Sequence, residues 1–125
     1  MAFLGDSYVE GAQVAAEGGV TSALERLLNG HPGGCPEPPK KNFELLNLGV
    51  SGYGTTQELE LLSTKVLSYD PDLVILGFLS GNDVRNNSLE LDQGTTDWRA
   101  AIRPYLELES GSIRRPSPAA RPVVD

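Results

Sequence analysis

The sequence predicts an α/β fold built on a parallel sheet, and three observations point to it. Three short apolar runs, MAFL at 1–4, FELLNL at 43–48 and LVILGFL at 73–79, alternate with two stretches of helical periodicity. Strand, helix, strand, helix, strand is the order of parallel strands joined by right-handed crossovers. The third run is continuously apolar, as expected of a strand covered on both faces. Each run also leads into a small polar cluster: Gly5-Asp6-Ser7, then Val50-Ser51-Gly52-Tyr53-Gly54, then Gly81-Asn82-Asp83.

The elements follow in order. Residues 1–4 read as a short buried strand, and residues 8–19, rich in glycine and alanine, as a loop. Ser22 and Glu25 fit a capping box. Val20, Leu24, Leu27 and Leu28 then share one face of a helix. Gly30 is the expected C-cap, and Pro32 blocks continuation. HPGGCPEPPKKN is a loop, and the second strand spans 43–48. Thr55 and Glu58 form a second capping box; Leu59, Leu62, Val66 and Tyr69 recur at helical spacing, so a helix is expected over 56–68. Asp70-Pro71-Asp72 stops it before the third strand. Beyond Asn87 the pattern dissolves. RPYLEL and SIRRP suggest a loose hairpin turning at Ser110-Gly111, and the last residues read as a linker or unpaired end. The expected division is therefore an α/β part over 1–94 and an irregular or hairpin-containing tail over 95–125. Both ends read as clipped, with the sheet stopping after its third strand.

Composition narrows the function. The 125 residues are enough for one domain with its own core, and 39% are hydrophobic. The net charge of -7 and pI near 4.6 argue against a nucleic-acid surface, which needs clustered Lys and Arg, and against an anionic membrane. One cysteine, Cys35, permits no intramolecular disulfide, and with a single histidine there is no Cys/His zinc set. No basic region precedes an apolar leader, and the longest apolar run is too short for a membrane span. No cofactor is called for.

In a parallel sheet all strands end on one edge, the edge where open α/β folds bind ligands. The three polar clusters therefore converge, and their chemistry suits acyl transfer. Ser7, on a tight turn, offers an exposed hydroxyl as nucleophile. A tetrahedral oxyanion needs preorganised donors. Gly52 can bring a backbone N–H close, Asn82 a side-chain NH₂, and Ser7 its own N–H. A serine after a strand can equally be a helix cap.

The three blocks together resemble the N-terminal part of the SGNH hydrolases, also called the GDSL esterase/lipase family. FLGDSYVEG matches the family's Gly-Asp-Ser block, NLGVSGYG its Asn-x-x-x-Ser-Gly turn, and LVILGFLSGND its Gly-Asn-Asp block, over roughly residues 2–87. The resemblance implies a flavodoxin-like three-layer α/β/α sandwich, Ser7 as nucleophile, and Ser7, Gly52 and Asn82 as the oxyanion hole. It implies a small ester as substrate: an acylated carbohydrate, a short-chain ester or a lipid. Tyr8 stands where the family often has Leu. The family's Asp-x-x-His block, source of the general base, has no counterpart in these 125 residues. The alternative is thus an incomplete, inactive SGNH-like domain that at most binds an acyl or carbohydrate ligand.

Other features take plainer readings. His31 follows a helix that leads away from the Ser7 edge, which makes it a surface loop residue. The glycines at 49, 52 and 54 are spaced G-x-x-G-x-G, the wrong order for a dinucleotide fingerprint. Asp6 and Asp83 are expected to hold turns through side-chain to backbone bonds. Cys35 has no assigned role. An apolar third strand left at a sheet edge invites self-association.

Overall fold

The structure is a computed structural model that describes residues 1–30, 42–93 and 103–114. Its centre is a parallel sheet in which β1 (Ala2–Gly5) lies between β2 (Leu46–Gly49) and β3 (Val74–Gly77). The register is level: Ala2 stands opposite Leu46 and Val74, and Gly5 opposite Gly49 and Gly77. All three strands therefore end in glycine at the same height.

That row of glycines has a steric cause. The chain leaves β1 and folds at once into the short helix α1 (Ser7–Glu10), which lies against the strand ends. A Cβ on Gly49 would stand 2.1 Å from the Glu10 backbone nitrogen. On Gly5 or Gly77 it would stand 2.3 or 2.7 Å from a Val9 methyl. Only glycine lets α1 sit so low. The segment read as loop therefore opens with a helical turn, and a 3₁₀ turn follows at Ala16–Gly18.

The core lies on the face of β1 that carries Ala2 and Leu4, two residues apart as pleating requires. Val66 is fully buried there, with Leu48, Leu61, Leu62 and Val74 packed around it. Leu61, Leu62 and Val66 come from α3 (Thr55–Thr64) and the 3₁₀ turn Val66–Tyr69 that continues it. The expected single helix breaks at Lys65. The Ser63 and Thr64 hydroxyls both bond back to the Glu60 carbonyl, at 3.1 and 2.6 Å, a competition that loosens a last turn. Asp70, in the left-handed region at φ 48°, ends the element where Asp-Pro-Asp predicted a stop. Of the expected apolar face, Leu62 and Val66 are in the core, whereas Leu59 and Tyr69 are about half exposed.

Neither capping box forms as expected. α2 (Val20–Gly30) starts before Ser22, whose hydroxyl goes to the Ala16 carbonyl at 2.7 Å. The Glu25 carboxylate accepts from the Leu45 N–H at 2.7 Å, and Asn29 exchanges two 2.8 Å bonds with the Phe43 backbone. These ties hold residues 43–45 against α2, so β2 begins at Leu46 and not at Phe43. On α2 itself Val20 and Leu27 are exposed, and Leu24 and Leu28 partly buried. At α3 only half a box forms, one residue early: Gly54 is the N-cap, without a side chain to offer, and its N–H donates to Gln57 Oε1 at 2.7 Å.

β3 also departs from expectation. Among the described residues it pairs with β1 alone, and Leu73, Leu76 and Phe78 are about half exposed. Its edge position is the one expected of the third strand; the cover expected on both faces is not there among the described residues. Beyond it come α4 (Asp83–Asn86) and α5 (Leu89–Gln93). The tail hairpin forms where the sequence placed it. β4 (Glu107–Glu109) and β5 (Ser112–Arg114) pair antiparallel, and Ser110 and Gly111 both take positive φ, 50° and 80°. Two positive φ values are the signature of a type I′ turn. The approach to this hairpin is buried. Arg103 pairs with Asp92 on α5 and reaches Asn86 Oδ1 at 3.4 Å; the Tyr105 hydroxyl donates to Asp92 at 2.7 Å. Gln57 Nε2 donates to the Pro104 carbonyl at 2.6 Å. His31, Pro32, Cys35 and the final residues of the chain lie outside the described residues.

Candidate active site

The level sheet puts the three polar clusters on one edge. Ser7 comes two residues after Gly5, Gly52 three after Gly49, and Asn82 five after Gly77. Adjacent strands are about 4.8 Å apart, so the three chain exits are close neighbours.

The sequence left open whether Ser7 caps a helix. The cap is Asp6: its Oδ1 accepts from the Tyr8 N–H at 2.9 Å. Ser7 is the first helical residue, partly exposed, and among the described residues its hydroxyl has no hydrogen-bond partner.

Gly52 has φ 81° in the turn that follows β2. The Tyr53 N–H closes this turn on the Val50 carbonyl at 3.0 Å, which places Gly52 where a type II turn calls for glycine. Several bonds fasten the turn to β1 and α1. The Val50 N–H donates to the Gly5 carbonyl at 2.9 Å, and the Ser51 N–H to Glu10 Oε2 at 3.0 Å. The Ser51 hydroxyl donates to the same Glu10 oxygen. Asn47 Nδ2 donates to the Val9 carbonyl at 2.9 Å.

Asn82 precedes α4. Its Nδ2 donates to Asp6 Oδ2 at 2.8 Å, across 76 positions of sequence. Asp6 thus holds the Tyr8 amide with one oxygen and the Asn82 amide with the other, and Ser7 lies between Asp6 and Tyr8 in the chain. One N–H of Asn82 is used on Asp6, and the second is left for another acceptor. Asp83 holds the turn before α4: its Oδ2 accepts from the Leu79 N–H at 2.6 Å. Both aspartates therefore fix turns through backbone amides, as the sequence reading expected.

Beneath this edge lie three buried carboxyl groups, Asp6, Glu58 and Asp83. Burial, with the Asp83 and Asp6 charges added, pushes Glu58 up from 4.5 to about 7. Burial also pushes Asp83 up; the Leu79 N–H opposes this, and the Asp6 charge adds to it. Sequence reasoning missed Glu58 by assigning it to a surface capping box. A signal was present: Leu61, Leu62 and Val66 follow it at i+3, i+4 and i+8, so Glu58 shares the core face of α3.

Among the described residues no group of His, Cys, Asp and Glu side chains is arranged to hold a metal ion, and no helix is long and apolar enough to cross a membrane. A cleft of about 720 Å³ opens at the opposite edge, lined by Met1, Phe43, Tyr69 and Leu73 among others, away from Ser7.

A parallel α/β sheet with small polar clusters gathered past its carboxyl ends presents them at the edge where open α/β folds bind ligands. The profile of the GDSL-like Lipase/Acylhydrolase family matches residues 3–123, nearly the whole chain, and the chain belongs to that family. No curated protein and no solved structure matches it.

Proposed function

We propose that this chain is a serine ester hydrolase domain in which Ser7 is the nucleophile. The Ser7 and Gly52 N–H groups and the Asn82 carboxamide form the oxyanion hole. The observation that supports this best is the Asn82–Asp6 bond, which ties a carboxamide donor to the residue next to Ser7, whose hydroxyl has no hydrogen-bond partner among the described residues. Ser7 Oγ adds to the ester carbonyl as its proton passes to water and from there to the leaving alcohol, and the carbonyl oxygen takes the negative charge within reach of the three donors. Collapse expels the alcohol and leaves an acyl-serine, which water hydrolyses. The substrate is a small ester: an acylated carbohydrate, a short-chain ester or a lipid. The net charge of -7 argues against a nucleic-acid partner.

Turnover of p-nitrophenyl acetate tests the reading. A burst followed by steady release, both lost in Ser7→Ala, is the expected result; unchanged hydrolysis in Ser7→Ala overturns it. The absence of an Asp-x-x-His block from these 125 residues favours a second reading. On it the chain keeps an oxyanion site that binds an acyl or carbohydrate ligand without turnover. No burst in the parent, with ligand binding weakened by Asn82→Ala, is its result. On either reading the half-exposed Leu76 and Phe78 along β3 are the surface for self-association. A single monomeric peak on gel filtration would count against that.

A further inference from the structure

Glu58, in the first turn of α3, is 1% exposed, and neither of its carboxyl oxygens has a hydrogen-bond partner. Its charged neighbours make this unusual. The start of α3 packs on α4: the Thr56 N–H donates to Asn87 Oδ1 at 2.8 Å, and a Cβ on Gly54 would stand 3.1 Å from the Asp83 carbonyl oxygen. Asp83 there and Asp6 at the β1–α1 junction are the groups whose charge bears on Glu58, and both are acidic. Among the described residues no Lys or Arg forms an ion pair with any of the three. The donors are shared unevenly. Asp6 has one for each oxygen, from Tyr8 and Asn82. Asp83 has one, from Leu79, and its Oδ1 is buried without a partner. Glu58 has none.

With no cation paired to them among the described residues, three buried anions would each lose solvation without compensation. Asp6, with a donor on each oxygen, is the natural anion of the set. What Glu58 and Asp83 lack between them is one donor, and a retained proton is one. Carried on one Glu58 oxygen and donated to Asp83 Oδ1, that proton accounts for two of the three acceptors left empty; the second Glu58 oxygen, then part of a neutral acid, carries no charge to solvate.

We propose that Glu58 is a positioning residue that keeps its proton and shares it with Asp83, and that this carboxylic acid–carboxylate pair holds the turn that seats the Asn82 carboxamide against Asp6. The link is direct. Asp83 Oδ2 holds the Leu79 N–H at 2.6 Å, and the Asn82 and Asp83 N–H groups close back on the Leu79 carbonyl at 3.3 and 2.9 Å. The turn that Asp83 ties is the one that carries Asn82. Removing the shared proton puts a second uncompensated charge beside Asp83, and the turn relaxes away from Ser7. This role rests on Asn82 being an oxyanion donor; the shared proton does not.

Infrared spectroscopy of the full chain reads the proton itself. The expected result is a protonated-carboxyl C=O band at mildly acid pH that fades with a midpoint near 7 and is missing in Glu58→Gln. No such band in the parent, or a band that persists in Glu58→Gln, overturns the proposal whether or not the chain turns over ester. Kinetics read the positioning. Glu58→Gln, neutral and able to donate, keeps kcat and loses the fall in rate near pH 7. Glu58→Ala lowers kcat by about 10²-fold, the effect of a lost oxyanion donor, with KM little changed. Equal kcat in all three proteins, with the band present, keeps the proton and overturns its role in seating Asn82.

Discussion

Asp6 and Ser7 divide the work at the end of β1. The carboxylate takes the cap and the Asn82 amide, and among the described residues the hydroxyl is left without a partner. Asn82→Ala is therefore expected to lower ester turnover by about 10²- to 10³-fold, the range for one oxyanion donor. The Tm should fall as well, because Tyr8 keeps only Oδ1 of the buried Asp6 and Oδ2 is left without its donor; a variant with unchanged kcat would remove Asn82 from the oxyanion hole. Gly49→Ala tests the steric reason for the glycine row. Its Cβ meets backbone, which cannot swing aside, so a loss of about 1–3 kcal/mol in denaturant unfolding is expected. At this scale the sequence was most legible where a residue type has a narrow use. Gly5-Asp6-Ser7, Gly52 and Asn82 could be singled out because few residues meet the demands of a tight turn, a positive φ or a neutral donor. Glu58 could not, because a glutamate early in a helix is usually a solvated cap, and only its burial distinguishes it.

The elements were legible in kind and less so in extent. Strand order along the chain, both long helices and the hairpin turn follow from periodicity and turn chemistry. Their ends were set by side chains acting at a distance. Glu25 and Asn29 on α2 delay β2, and Gln57, not Thr55 with Glu58, completes the cap of α3. Such bonds carry no periodic signal. The hairpin offers a clean test. Ser110 has φ 50°, in the left-handed region that asparagine tolerates better than serine, and Asn-Gly is the preferred type I′ pair. Ser110→Asn is expected to leave the fold unchanged and to slow amide exchange across β4 and β5. Faster exchange would mean the turn is not of this type.

The molecule as a whole carries its acidity inside as well as outside. Glu58 titrates at about 7 in the folded chain and near 4.5 when solvated. The folded form thus holds a proton that the unfolded chain releases, so the stability from this group is complete below about 4.5 and is lost as pH rises through 7. Asp83, also raised, acts in the same sense. Melting curves should show Tm falling over that window, and Glu58→Gln should flatten the fall; a Tm that rises across it would contradict the assignment. A second buried network joins the tail to the helices. Arg103 and Tyr105 both meet Asp92, and none of the three is more than 5% exposed. Arg103→Met strips a buried cation from the buried Asp92 carboxylate and should cost about 3–5 kcal/mol in unfolding free energy. This network was invisible in the sequence, where RPYLEL read only as one arm of a hairpin. Its partners come from different elements, and nothing local marks them.

The claim on which the functional account stands is that the Ser7 hydroxyl is an activated nucleophile within reach of the Asn82 amide. Labelling with a fluorophosphonate, followed by mass spectrometry of the peptides, tests it most directly. The account predicts a single adduct on Ser7, absent in Ser7→Ala and formed far more slowly in Asn82→Ala. An adduct on another residue, or none on Ser7 under conditions that label a serine esterase, would contradict it.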